Sequence, residues 1–171
     1  MDQRAGPYAE FEAFVAGAAG RLLHVAVLLT AEAGAVSGAV SGAASGGASG
    51  AASDAASGGA SGADCPAARR LLAGALARTY AGWERLRGDD PYDHTRQELC
   101  AAFARTGRSH HGGRGVLAPL PPLERLVLVL CVYEGVAHEV AAAQLGLPVE
   151  RVRVLSGRAV AALRARRGEA A

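Results

Sequence analysis

With 171 residues, half of them hydrophobic, the chain can bury one medium or two small cores, which excludes a wholly disordered protein. Its 18 basic side chains, all Arg, stand against 16 acidic ones for a net charge of +2, so overall charge selects neither a nucleic-acid nor a membrane partner. Three widely spaced cysteines, Cys65, Cys100 and Cys131, match neither a disulfide framework nor a zinc pattern and fit a reducing cytoplasm.

In chain order, Phe11, Phe14, Ala18, Leu22, Val25 and Leu29 recur at three- and four-residue steps and predict an amphipathic helix over residues 8–30. His24 interrupts its apolar end, and Asp2, Glu10 and Glu12 replace the basic start of a signal peptide, so a soluble protein with no membrane partner is expected. From Ser37 to Ser61 a serine recurs every fourth residue, embedded in Gly and Ala. With no large side chain to bury, residues 33–64 are expected to be a flexible insertion spanning on the order of 30 Å by random-coil scaling.

Pro66 opens a second predicted helix, whose stripe Leu72, Leu76, Thr79, Trp83 and Leu86 runs to a stop at Gly88. Asp90 and Pro91 form a cap and first turn for a third, carried by Tyr92, Thr95, Leu99 and Phe103 as far as Gly107. Glycines, His110 and His111, and arginines mark residues 107–118 as a linker. Pro121 and Pro122 then open a fourth helix closed by Gly135. A short helix over 137–144, a turn with Gly146 and Pro148, and a last helix to about Arg167 complete a helix-turn-helix plan.

The expected fold is therefore all-α, with a three-helix domain over residues 1–106 and a helix-turn-helix domain over 119–171. After Pro148 six arginines face only Glu150 and Glu169. At 100° per residue Val149, Val152, Ser156, Ala159, Val160 and Leu163 share one side of the last helix, which turns Arg151 and Arg158 outward with Arg153 and Arg164 at a margin. Such arginines suit phosphates or guanine edges in a major groove, although charge alone fits a solvated face equally well.

Leu120-Pro121-Pro122, Glu124-Arg125, Tyr133-Glu134-Gly135, Ala141-Ala142, Leu145-Gly146, Val149, Val152, Arg158-Ala159 and Leu163-Arg164 together resemble, without a gap, region 4 of bacterial RNA polymerase sigma factors of the extracytoplasmic-function (ECF) class. Residues 75–80, Trp83, Asp89-Asp90-Pro91 and Arg96, with residues 11–30, resemble region 2 of the same family. The resemblance implies a divergent ECF sigma factor that directs core RNA polymerase to promoter DNA in transcription initiation, with an anti-sigma factor as a further partner and no cofactor. It places Arg151, Arg153, Leu155, Ser156 and Arg158 on the upstream promoter element. It likewise places Trp83, Arg96 and Arg105 on the downstream element, and Arg69, Arg70, Ala73 and Gly74 on core polymerase. At those last four positions the family's acidic and glutamine residues are replaced, which reverses or removes charge.

An enzyme would need convergent acid, base or nucleophile groups, whereas His24, His94, His110, His111, His138 and the cysteines are scattered and lack metal-site spacing. The chain is expected not to be an enzyme and to hold no metal. Two other readings stand beside the sigma factor: a helix-turn-helix regulator that no longer recruits polymerase, and a degenerate helical module that binds protein.

Overall fold

A computed structural model of the chain describes residues 6–32, 65–106 and 113–169. The low-complexity insertion, His110, His111 and Arg108 lie outside the described residues. Among the described residues the protein is all-helical: α1 (Pro7–Thr30), α2 (Pro66–Ala81), a 3-10 turn (Trp83–Leu86), α3 (Pro91–Thr106), α4 (Pro122–Leu128), a π turn (Val129–Tyr133), α5 (His138–Leu145) and α6 (Val149–Glu169).

α1 begins at Pro7, where a missing N–H costs nothing, and ends at Ala31 in the left-handed region at φ 53°. Its second half is the centre of the molecule. Leu22, Val25, Ala26 and Leu29 are wholly inaccessible, and the i, i+3, i+4, i+7 spacing turns all four toward α2, α3 and α4. By length and a mean hydropathy of 1.7, α1 could cross a membrane, which the sequence reading did not anticipate. Its apolar stripe is instead the core stripe of this bundle.

Cys65 gives α2 no side-chain cap, and the cap comes from Glu32, just beyond α1. The Glu32 carboxylate accepts from the Ala67 and Ala68 N–H groups at 3.1 and 2.7 Å, satisfying two orphan donors with a charge favourable to the helix N-terminus. The two ends of the low-complexity segment are thereby tied together. The second helix does not continue to Gly88 as its stripe predicts. It stops at Ala81, because the Gly82 N–H turns back to the Arg78 and Thr79 carbonyls, and Trp83 falls on the separate 3-10 turn. Asp90 caps α3 as predicted, its carboxylate accepting from the Tyr92 N–H at 2.9 Å.

α2 lies along α3, where the buried hydroxyls of Thr79 and Thr95 meet at 3.0 Å. The core then runs without interruption from Leu99 and Phe103 into Leu126, Val127 and Leu130 of the α4 segment and on to Val152 and Ala159 of α6. Residues 113–115 approach the end of α1 closely, and the Gly115 N–H donates to the Ala31 carbonyl at 2.7 Å. A Cβ at Gly113 would run into the Ala31 carbonyl, and one at Gly115 would stand 2.7 Å from the Glu32 carbonyl oxygen, so this crossing requires glycine.

Two polar anchors join the α4 segment to the bundle. Arg125 is 1% exposed; it donates to the Leu29 carbonyl at 2.8 Å, filling an acceptor left open at the α1 C-terminus, and to the Leu120 carbonyl at 3.0 Å. Burial depresses its pKa. The second anchor is Glu134. In the π turn its N–H bonds back five residues to Val129. Its fully inaccessible carboxylate meets Arg21 Nε at 3.2 Å, the Tyr92 hydroxyl at 3.1 Å and Arg96 Nη1 at 3.4 Å. Beside it His24 stacks on Tyr133 at 5.1 Å between centroids.

Candidate nucleic-acid interface

The helix-turn-helix is built by one left-handed residue. Gly146 leaves α5 at φ 64°, and the Leu147 N–H reaches back to the Ala142 carbonyl at 3.0 Å, the bond of a glycine-terminated helix end. Pro148 follows at once, its carbonyl accepting from the Arg151 and Val152 N–H groups at 3.0 and 3.2 Å and starting α6. A three-residue turn thus sets α6 across α5 and against α4.

The buried side of α6 consists of Val152, Leu155, Ser156 and Ala159, with Val149, Val160 and Leu163 partly buried around them. Two of the residues expected at DNA, Leu155 and Ser156, lie on this packed side and not on the outward one. Leu155 and Ser156 are each only 8% exposed and pack inward, because residues three and four after Val152 must share its face. The outward stripe is Arg151, Val154 and Arg158, at i, i+3 and i+7. Val154 is 52% exposed between the two arginines.

The outward arginines differ from Arg153. That guanidinium is held at 2.7 Å by Glu139 of α5 and at 2.7 Å by Glu150. The Glu139 carboxylate lies below its ordinary pKa, first through a bond from its own backbone N–H and then through Arg153. Arg153 therefore ties the two helices of the motif together with its charge already matched. Arg151 and Arg158 are exposed and make no ion pair among the described residues. They stand about 10 Å apart along the helix, on the order of three base steps of B-DNA.

The three residues expected on the downstream element do not form one surface. Trp83 is half-buried against Phe11 and Phe14, with centroids 5.1 and 5.5 Å away. Arg96 is 6% exposed and engaged with Glu134 and Asp93 in the buried junction. Arg105 is exposed, and it faces the expected polymerase-facing residues instead: Arg70, Gly74 and Arg105 line one groove between α2 and α3. Arg69 and Ala73 are exposed on the same helix.

The sign in the sequence that Glu134 and Arg125 are core anchors is a charged residue inside or at the end of an apolar helical run.

Among the described residues no group of three or more His, Cys, Asp or Glu is placed to hold a metal ion. No curated protein and no solved structure matches the chain. Residues 116–165 match the family model described as Sigma-70, region 4, which covers α4, the π turn, α5 and all but the end of α6; this segment is similar to a family of DNA-binding, non-enzymatic domains.

Proposed function

We propose that the protein is a cytoplasmic sigma factor of the ECF class, divergent in its first half, which seats α6 in the major groove of an upstream promoter element and works with core RNA polymerase. In this reading residues 1–106 and 119–171 are its region 2-like and region 4-like modules. The observation that carries it is the outward stripe of α6 within the region 4 match: two arginines free of carboxylates, backed by a packed inner face that fixes their direction.

Arg151 and Arg158 supply the phosphate or guanine contacts, and Val154 between them is an apolar group suited to a thymine methyl. Arg153 holds α5 against α6. The test is titration of the full chain with promoter duplexes from its own genome at two salt concentrations. Arg151→Ala should weaken binding and, if the contact is to phosphate, lower the salt slope by about one unit; Arg153→Ala should leave that slope nearly unchanged, since its charge is already compensated. Equal, salt-independent binding by wild type and Arg151→Ala refutes a DNA-facing α6.

A further inference from the structure

The groove between α2 and α3 lies apart from α6 and has its own chemistry. It encloses about 400 Å³ and is open to solvent along its length. Ala67, Leu71, Gly74 and Ala102 form its floor, and Arg70, Arg78 and Arg105 rise around it. Among the described residues no acidic side chain lines it. Arg78 is partly engaged, with Glu98 at 3.7 Å and the Gly74 carbonyl at 3.3 Å. Arg70 and Arg105 are exposed and make no ion pair among the described residues, although they come from different helices and face the same space.

Like charges gathered without counter-charges repel one another, and the arrangement relaxes when an anion enters between them. Gly74 keeps the floor open: a Cβ there would meet nothing closer than the tip of Arg78 at 3.8 Å, so the backbone of a partner can approach. An apolar floor under a cationic rim selects a ligand with both characters. Among the described residues the groove has no aromatic side chain on which a base could stack, and this favours a polypeptide over single-stranded nucleic acid.

We propose that the α2/α3 groove is a docking site for an acidic amphipathic segment of a partner protein, with small apolar residues on the floor and carboxylates on Arg70 and Arg105. This inference is independent of DNA binding by α6.

The test uses the full chain and a displayed library of random 16-residue peptides, depleted against the Arg70→Glu/Arg105→Glu variant. Both side chains are exposed, so the variant should keep the wild-type unfolding curve; Arg158→Glu serves as a charge-matched control on α6. The expected result is recovery of net-acidic peptides that carry apolar residues. Measured by fluorescence anisotropy, their affinity should fall about tenfold or more on the double reversal, the scale expected for two exposed charge pairs turned repulsive, and should not change with Arg158→Glu. Raised salt should also weaken them. Recovery of neutral or basic peptides, of peptides that bind the variant equally, or of none overturns the proposal. So does a single-stranded 20-nucleotide DNA whose binding to wild type is lost with the same two substitutions, which would make the groove a nucleic-acid site.

Discussion

Replacing Glu134 by Ala removes the carboxylate at the centre of the junction between α1, α3 and the region 4 segment. The Arg96 side chain, 8% exposed, would be left with Asp93 alone, whose own side chain is half-exposed, and the Tyr92 hydroxyl would lose its acceptor. Removing one member of a buried pair costs about 3–5 kcal/mol where nothing else meets the stranded charge. Asp93 persists as a partner and Arg21 is exposed enough to be resolvated, so about 2–3 kcal/mol is expected here. Glu134→Gln keeps the shape and an oxygen for Tyr92 and should lose roughly half as much. Replacing the pair together, Glu134→Leu with Arg96→Met, should recover most of the loss, because no buried charge is then stranded. Urea unfolding of the full chain, with the slope checked for constancy, measures all three. A loss below about 0.5 kcal/mol for Glu134→Ala, within the range of ordinary surface changes, would refute the buried network, as would a double variant less stable than Glu134→Ala.

Further consequences follow from other parts of the fold. Gly115→Ala should destabilise by about 1–3 kcal/mol in the same assay, since the added carbon meets backbone of Ala31 and Glu32 that cannot swing away. Trp83→Ala should lose less than the roughly 3–5 kcal/mol of a fully buried aromatic, because the ring is only partly buried on the 3-10 turn and packs mainly on Phe11 and Phe14. Cys131, half-buried, should be alkylated well before Cys100, whose burial raises its thiol pKa to about 12; native-state mass spectrometry against time separates them. The unfolded Cys100 thiol ionises near its ordinary pKa of 9.0 and the folded one only near 12, so stability is retained below pH 9 and falls as pH rises between these values. Burial first, and then the Glu134 carboxylate, raise the Tyr92 pKa as well, adding a loss of the same sign at higher pH. Stability flat across that alkaline range would contradict both environments.

The helices were legible in the sequence because their determinants are local. The stripe of α1, the Asp90 cap with Pro91, and Gly146 followed by Pro148 each act within about a turn of themselves. The end of α2 was misread because Trp83 and Leu86 continue the apolar period past Gly82, and period alone does not reveal that the chain turns back on its own carbonyls there. What escaped the sequence reading is long-range. Glu32 caps a helix that begins across a low-complexity segment, and Arg96 gives up its expected surface position because Glu134, 38 residues away, neutralises it in the core.

The same reason explains why the interface was only partly legible: the sequence shows where the cations are and not which of them carboxylates have already engaged. In this protein the arginines take distinct states. Arg125 and Arg96 are buried and hold the region 4 segment on the bundle. Arg153 is exposed yet compensated by Glu139 and Glu150, and its ion pairs join α5 to α6. Only a cation still exchanging with water and mobile counterions can release those counterions when it meets a phosphate, so the salt dependence of binding reports the free arginines and not their total number. Among the described residues, the exposed arginines with no ion pair include Arg151 and Arg158 on α6 and Arg70 and Arg105 in the α2/α3 groove. Arg151 with Arg158, and Arg70 with Arg105, are thus separate groups of exposed cations on one continuous core, a distribution that the net charge of +2 conceals.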